Sequence, residues 1–192
     1  MPEHPGHFYR DFLSTPFECY DADALLLDLD SHLFEYNGSV FSAPVDARIH
    51  TLKQLGFIIV LGTNNPEDRT HLAQDGTFYV SRTRTQLARG KGKPHISFYD
   101  EVCDVTGIGP KRFVSSGDNW LRDSRGALLA GMQAVTTDRV GWDPMFEWFL
   151  RTRWRETTAL VEHYQIVRLD GHTLYVPEQY NPDFRPVGEQ AH

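Results

Sequence analysis

The sequence of 192 residues has two cysteines, no excess of positive charge and no long apolar run. Two thiols, Cys19 and Cys103, cannot build a disulfide framework and are typical of a reducing compartment. With 19 basic and 26 acidic residues the net charge is −7, so broad binding to nucleic acid or an anionic membrane is not expected. The longest apolar runs, such as FIIVL at 57–61, are strand-sized and far below the ~20 residues of a membrane span.

The N-terminal stretch MPEHPGHFYRDF is polar and lacks the apolar region of a secretory signal. We therefore expect a cytoplasmic protein with no integral membrane association. Apolar residues make up 40% of the sequence and charged residues 23%, which is ordinary for a globular protein. The length favours one domain over 1–192, with a core at about 21–138 and a C-terminal extension at about 139–192.

Apolar runs of strand length alternate with helical patterns through the predicted core. This alternation predicts an α/β fold with a doubly wound, Rossmann-like and mainly parallel sheet. The predicted strands lie at 24–29, 57–61, 77–80, 112–116 and 132–137, and the predicted helices at 44–55, 67–74, 95–105 and 121–130.

The two ends of the chain have different patterns. Three prolines in the first 20 residues indicate an irregular lead-in. In the extension, a Trp- and Phe-rich amphipathic pattern predicts a helix at about 144–164. The run at 165–177 predicts a hairpin that turns at Asp170-Gly171.

Polar side chains follow the predicted strands at the points where ligands bind in open α/β sheets. Since strand side chains alternate, Asp28 and Asp30 would share a face, and two close carboxylates repel each other. A hard cation such as Mg²⁺ would relieve this repulsion, because it prefers oxygen ligands. The further candidates are Thr63 and Asn64 after the second strand, Lys93 in a later loop, and Asp118 and Asp123 after the fourth strand.

Each of these pieces has an ordinary structural interpretation by itself. DLD is a common strand end, GDN is a common turn, Thr63 could cap a helix, and Lys93 could be a solvated charge. Their order, each after its own strand, favours a common site in which Lys93 and the Thr63 hydroxyl hold a phosphoryl group.

The segments LLLDLDSHL, IIVLGTNNP, GKGKP and VSSGDNWLRD resemble the four motifs of haloacid-dehalogenase-like phosphohydrolases, over about 25–137. The resemblance implies a Rossmann-like sheet and a Mg²⁺-dependent phosphatase. By motif position, Asp28 would be the nucleophile that forms an aspartyl-phosphate, and Asp30 the general acid/base. Thr63, Asn64 and Lys93 would bind phosphate. Asp118 would bind Mg²⁺ with Asp28 and the Asp30 backbone carbonyl, and Asp123 would support the metal.

The second aspartate, Asp30, resembles the phosphatase branch of this family. Within that branch, TNNPEDR, KP and GDNWLRD resemble the small capless phosphatases that act on phosphatidylglycerophosphate. Neither 31–62 nor 64–92 has room for a large inserted cap. An uncapped site suits a phosphorylated small molecule or a bulky phosphate ester. A partner subunit could also close such a site, so an oligomer is possible. The aromatic residues Phe34, Tyr36 and Phe41 could contact substrate or pack on the sheet edge.

His32 departs from the family pattern, which commonly has Thr or Val at this position. A bulky, titratable imidazole there raises the alternative of a non-catalytic phosphate- or protein-binding module on the same scaffold. A phosphotransferase or mutase is a third possibility, which the lack of a cap disfavours. The intact Asp28, Asp30, Lys93 and Asp118 favour the phosphatase.

Overall fold

The computed structural model describes residues 7–140, 164–169 and 172–177, and its strands form one eight-stranded sheet. The strand order is β4-β3-β2-β5-β6-β1-β8-β7. The strands are β1 (His7–Tyr9), β2 (Ala24–Leu27), β3 (Ile58–Gly62), β4 (Phe78–Val80), β5 (Phe113–Gly117), β6 (Gln133–Thr137), β7 (Tyr164–Leu169) and β8 (His172–Pro177). The strands from β4 to β1 pair in parallel, whereas β8 pairs antiparallel with both β1 and β7.

Helices cover both faces of the parallel sheet. They are α1 (Ala43–Gln54), α2 (Arg84–Ala88), α3 (Ile96–Thr106) and α4 (Arg125–Leu129). Because side chains alternate along a strand, Leu25 and Leu27 of β2 pack on the side of α1, and Leu26 packs with the side chains of α3 and α4. The doubly wound α/β architecture predicted from the sequence is confirmed.

The predicted helix at 67–74 is wrong. Only one 3₁₀ turn, Thr70–Leu72, forms there. Side chains replace the helical hydrogen-bond pattern, since Asn65 accepts from the Glu67 backbone N–H and Asp68 accepts from both the N–H and the hydroxyl of Thr70. Asn and Asp commonly compete with helix formation in this way.

Two short elements were not predicted. Within the supposed irregular lead-in, β1 extends the parallel sheet beside β6. In the polar connection after β4, α2 begins with a reciprocal capping box, in which Thr83 and Gln86 each bond the other's backbone N–H. The sequence signal for this helix was a Thr followed three residues later by a Gln, Thr83 and Gln86, which is the spacing of a capping box.

The hairpin predicted in the extension is confirmed by β7 and β8, whose pairing ends at Leu169 and His172. The predicted turn lies outside the described residues. So does the predicted helix at 144–164, except for Tyr164, which begins β7 instead. In the part of the chain that the structure describes, no helix is both long and apolar enough to cross a membrane.

The parallel strands all place their carboxyl ends at one edge of the sheet. The segments that leave β2, β3 and β5 at this edge carry the polar residues identified in the sequence, except Lys93, which lies between α2 and α3. Within 7–140, no inserted domain interrupts the chain between α1 and its neighbouring strands or between β3 and α3. The edge is therefore formed by loops and short helices alone.

Shortening a side chain of α1 that packs in the core should destabilise the fold. Leu52 is fully buried against the sheet, whereas Leu55, at the end of the same helix, is 56% exposed. Leu52→Ala should lower the free energy of unfolding by about 2–5 kcal/mol, because it removes buried methyl groups and leaves a cavity. Leu55→Ala should change it by about 0.5 kcal/mol or less. Urea unfolding followed by circular dichroism measures both, and equal losses would contradict the described packing.

Candidate active site

A buried lysine joins two carboxylates at the centre of the site. Lys93 Nζ lies 2.5 Å from Asp28 Oδ1 and 2.5 Å from Asp123 Oδ1, and it also donates to the Gly62 carbonyl at 3.0 Å. The three ionic side chains are all nearly inaccessible to solvent. Lys93 thus links the ends of β2 and β3 to the segment after β5.

Asp118 completes a cluster of three buried carboxylates. One oxygen from each of Asp28, Asp118 and Asp123 lies within 4.8 Å of the others. Asp118 forms an ion pair with Arg139, with Nε 2.5 Å from Oδ2. The cluster therefore contains three carboxylates and two cationic side chains.

Burial and the neighbouring charges shift the pKa values of Asp28 and Lys93. Burial is the largest influence on Asp28 and raises its pKa, the charges of Asp123 and Asp118 raise it further, and Lys93 opposes them; the net direction is upward. For Lys93, burial would lower the pKa, but Asp123 and Asp28 outweigh it and the net shift is upward. Lys93 is cationic, and Asp28 lies in a site that favours additional positive charge.

A divalent cation fits this donor set. Magnesium prefers hard oxygen ligands and binds through a small number of carboxylates, and the cluster offers three that are already buried and close together. A bound cation would also reverse the upward influence on the Asp28 pKa. Asp28, Asp118 and Asp123 are the side chains that would surround it.

The backbone of Lys93 is held by Asn64. The Asn64 amide accepts from the Lys93 N–H at 2.8 Å and donates to the Lys93 carbonyl at 2.9 Å. A Cβ at Gly92 would lie 2.6 Å from Asn64 Oδ1, so this close approach requires glycine. Predicted as a phosphate ligand, Asn64 has its side-chain amide engaged in positioning Lys93.

The segment after β5 holds Asp123 against the sheet. A Cβ at Gly117 would lie 2.5 Å from the Asp123 carboxylate, so the glycine of the GDN motif leaves space for it. The Asn119 N–H donates to Asp123 Oδ2 at 3.1 Å. The Tyr99 hydroxyl of α3 donates to the backbone carbonyls of Arg122 and Asp123, at 2.6 and 3.2 Å.

Asp30 has different partners from Asp28. Arg69 Nη1 lies 2.8 Å from each Asp30 oxygen, and the guanidinium is nearly buried. The Asn37 N–H donates to Oδ1 at 2.9 Å, and the Thr63 hydroxyl lies 3.4 Å from Oδ2. Each aspartate therefore has its own cation, Lys93 for Asp28 and Arg69 for Asp30, and these ion pairs reduce the repulsion expected between the two carboxylates.

One open cavity of about 370 Å³ is lined by all the residues that were predicted to be catalytic or to bind phosphate or metal. The exposed side chains of Tyr36, Arg84 and Arg122 line it as well. Phe34, by contrast, is buried and packs against Phe41, with ring centroids 5.8 Å apart. The predicted residues in the cavity are Asp28, Asp30, Thr63, Asn64, Lys93, Asp118 and Asp123.

His32 lies beneath this cavity and does not line it. Its ring nitrogens contact the hydroxyls of Thr137 and Ser116, at 2.8 and 3.1 Å, and its side chain is buried. Burial, assisted by the positive charge of Lys93, lowers the pKa of His32 to about 3. It is therefore a neutral histidine that joins β5 to β6.

Sequence reasoning missed two arginines of the site, Arg69 and Arg139. Arg69 lies within the TNNPEDR segment, and its position next to the GTNN strand end was an available signal. Arg139 follows β6 in a segment with no recognisable pattern, so no sequence signal pointed to it.

Solved structures share this architecture at low sequence identity. An uncharacterized protein from Listeria monocytogenes serotype 4b matches with a TM-score of 0.51 and 18% identity, over 68% of this chain and 98% of that chain. A haloacid dehalogenase-like hydrolase from Brucella suis 1330 matches with a TM-score of 0.47 and 15% identity, over 60% and 88% of the two chains. The match to the Listeria protein shows a shared fold.

A double mutant of a thermostable NPPase from Geobacillus stearothermophilus also matches, with a TM-score of 0.31 and 13% identity, over 65% of this chain and 92% of that chain. No protein-family model matches the sequence, and no curated protein is significantly similar to it. The reaction has to be argued from the site.

His32 should make the stability of the protein depend on pH. Its pKa is about 3 in the folded protein and 6.5 in the unfolded chain, so unfolding takes up a proton between these values. Stability is therefore complete above about pH 6.5 and falls as the pH decreases, by up to about 1.4 kcal/mol per pH unit from this group. Urea unfolding at about pH 7 and pH 5 measures the slope.

His32→Gln should flatten that slope, whatever its effect on stability at neutral pH. His50→Gln is the matched control, since His50 is exposed on α1 and its ring bonds the neighbouring Gln54 side chain. A slope that is unchanged in His32→Gln would show that His32 titrates normally.

Proposed function

We propose that the protein is a Mg²⁺-dependent phosphatase that hydrolyses a phosphate monoester through an aspartyl-phosphate on Asp28. The observation that carries the proposal is the convergence of Asp28, Lys93, Asp118 and Asp123 in a single cavity, with Asp30 beside them. This set supplies a nucleophile, a phosphate-binding cation, a metal-binding carboxylate cluster and an acid/base.

In the first step, an Asp28 oxygen attacks the phosphorus atom and the bond to the ester oxygen breaks. Asp30 donates a proton to the departing oxygen, and the alcohol leaves. We assign the oxygens of the phosphoryl group to Lys93 and the Thr63 hydroxyl, which both line the cavity. Lys93 also contacts Asp28 directly, so one cation orients the nucleophile and attracts its target.

In the second step, Asp30 accepts a proton from a water molecule, and the resulting nucleophile attacks the phosphorus of the aspartyl-phosphate. The bond between phosphorus and Asp28 breaks, releasing inorganic phosphate and restoring the carboxylate. Arg69, with one nitrogen 2.8 Å from both Asp30 oxygens, fixes the orientation of this group. A bound Mg²⁺ would neutralise charge that develops on the phosphoryl oxygens.

The cavity favours an anionic substrate of considerable size. Arg84 and Arg122 provide positive charge at its exposed side, and Tyr36 provides an aromatic surface. A phosphorylated small molecule or a bulky phosphate ester would fit, and an oligomer could close the opening. Cys19 and Cys103 are both free thiols, which supports a reducing compartment such as the cytoplasm.

The alternative of a non-catalytic binding module was suggested by His32. Because His32 bonds Ser116 and Thr137 under the cavity, it leaves the site free of the bulky group that motivated this alternative. The pairing of Asp30 with Arg69 and Thr63 is unnecessary for simple phosphate binding and favours the phosphatase.

Asp28→Asn should abolish turnover, because an amide cannot form the acyl phosphate. The measurement is release of inorganic phosphate from a panel of phosphate esters with Mg²⁺ present. Wild-type activity should disappear in EDTA and return with Mg²⁺, but not with Ca²⁺, whose larger and looser coordination misplaces the nucleophile.

Asp46→Asn, an exposed aspartate on α1 outside the active-site cavity, is the matched control and should keep full activity. More than about a few per cent of activity in folded Asp28→Asn would exclude the covalent route. Full activity of the wild type in EDTA would exclude the metal-dependent one.

Asp30→Asn should separate catalysis from binding. It should reduce turnover by roughly 10²–10⁴-fold, which is typical of the loss of a general acid/base. Titration with vanadate in the presence of Mg²⁺ should show a much smaller loss of affinity, because Thr63 and Lys93 are unchanged. Equal turnover in wild type and variant would remove Asp30 from the mechanism. Vanadate binding without turnover in either protein would favour the binding module.

A further inference from the structure

Arg139 occupies a carboxylate that the proposed function assigns to the metal. Its Nε lies 2.5 Å from Asp118 Oδ2, and the two side chains are only 11% and 6% exposed. An ion pair with so little access to water keeps most of its electrostatic strength. In the described structure, the charge of Asp118 is therefore balanced by Arg139.

The backbone holds Arg139 in this position from both sides. The Asp138 N–H donates to the Arg10 carbonyl at 3.2 Å, and the Val140 N–H donates to the Ser31 carbonyl at 2.8 Å. Ser31 directly follows Asp30 in the chain. The ion pair is thus built into a segment that is anchored to the active-site loop.

Charge balance makes Arg139 and a divalent cation alternatives. Asp28, Asp118 and Asp123 bring three negative charges, and Lys93 neutralises one. A divalent cation neutralises the other two and makes the cluster electrically neutral. With Arg139 also on Asp118 the buried cluster would carry a surplus positive charge, and the guanidinium and the cation would repel each other at close range.

We propose that Arg139 is the resident counter-ion of Asp118 in the metal-free protein and competes with the divalent cation for this carboxylate. The proposal rests on the metal site of the proposed function, but it requires no turnover. Metal binding then includes the cost of breaking a buried ion pair. The strength of that pair sets how much Mg²⁺ is needed to load the site, and it keeps the acidic cluster stable when the ion is absent.

The test is calorimetric titration of metal-free protein with MgCl₂. Arg139→Gln should bind Mg²⁺ about tenfold or more tightly than wild type, because the competitor is gone. Without Mg²⁺ the variant should melt at a lower temperature than wild type, since Asp118 has lost its counter-ion. Saturating Mg²⁺ should raise its melting temperature by more than that of wild type.

Arg84→Gln is the matched control. It removes the same charge from the same cavity, and among the described residues Arg84 forms no ion pair with the cluster. Its Mg²⁺ affinity should stay close to that of wild type, so a general electrostatic effect is distinguished from competition for Asp118. Equal gains in Arg139→Gln and Arg84→Gln would overturn the proposal, as would Mg²⁺ binding in Arg139→Gln that is no tighter than in wild type.

A measurement on the wild type covers the case in which Arg139→Gln fails to fold. In protein labelled with ¹⁵N at arginine, the Nε–H resonance of Arg139 should shift as Mg²⁺ is added, while that of Arg82 should not. Arg82 is buried in an ion pair with Glu101 and does not line the cavity. An Arg139 resonance that does not move while Mg²⁺ binds would overturn the competition. If Arg139 and Mg²⁺ compete for Asp118 but the protein hydrolyses no phosphate ester, the phosphatase proposal would be excluded and the present proposal would stand.

Discussion

The buried charge at the carboxyl edge of the sheet is the constraint on which the rest of the site depends. Asp28, Asp118 and Asp123 are brought within a few ångströms of one another with little access to water. Burial of unpaired charge costs several kcal/mol per ion, so the fold has to provide cations in fixed positions. Lys93 and Arg139 are those cations, and they come from segments far apart in the sequence.

Much of the surrounding structure serves to place these few groups. Asn64 fixes both backbone polar groups of Lys93, and Tyr99 fixes the backbone that carries Asp123. At Gly92 and Gly117 the absence of a side chain permits close approach to a polar group of the site. Rigid placement of this kind suits the proposed reaction, because it would hold the reacting groups in a productive geometry. The side-chain amide of Asn64 is engaged by these bonds, and its predicted role in binding phosphate stays a prediction.

The two aspartates of the DLD motif show how one short motif yields two environments. Asp28 lies deep in the cluster against a lysine, whereas Asp30 is turned toward Arg69, Asn37 and Thr63. In the proposed function these two environments suit a nucleophile and an acid/base, since one would attack phosphorus and the other would exchange protons. His32, two residues further, is directed into the sheet and takes no part in the cavity. Its neutral ring instead joins two strands.

Sequence patterns by themselves determined most of the alternating strands and helices between β2 and β6, the parallel sheet, and the set of polar residues near the strand ends, but not β1 or α2. They could do so because apolar periodicity and strand-end motifs are local properties of the chain. Asn65 and Asp68 overrode the helical pattern around Arg69 through side-chain hydrogen bonds, which a hydrophobic pattern does not record. Only the tertiary structure decided that Arg69 pairs with Asp30, that Arg139 pairs with Asp118, and that His32 is neutral and buried. Those outcomes depend on distances and on access to water between segments up to about a hundred residues apart, for example His32 and Thr137, and no local pattern specifies them.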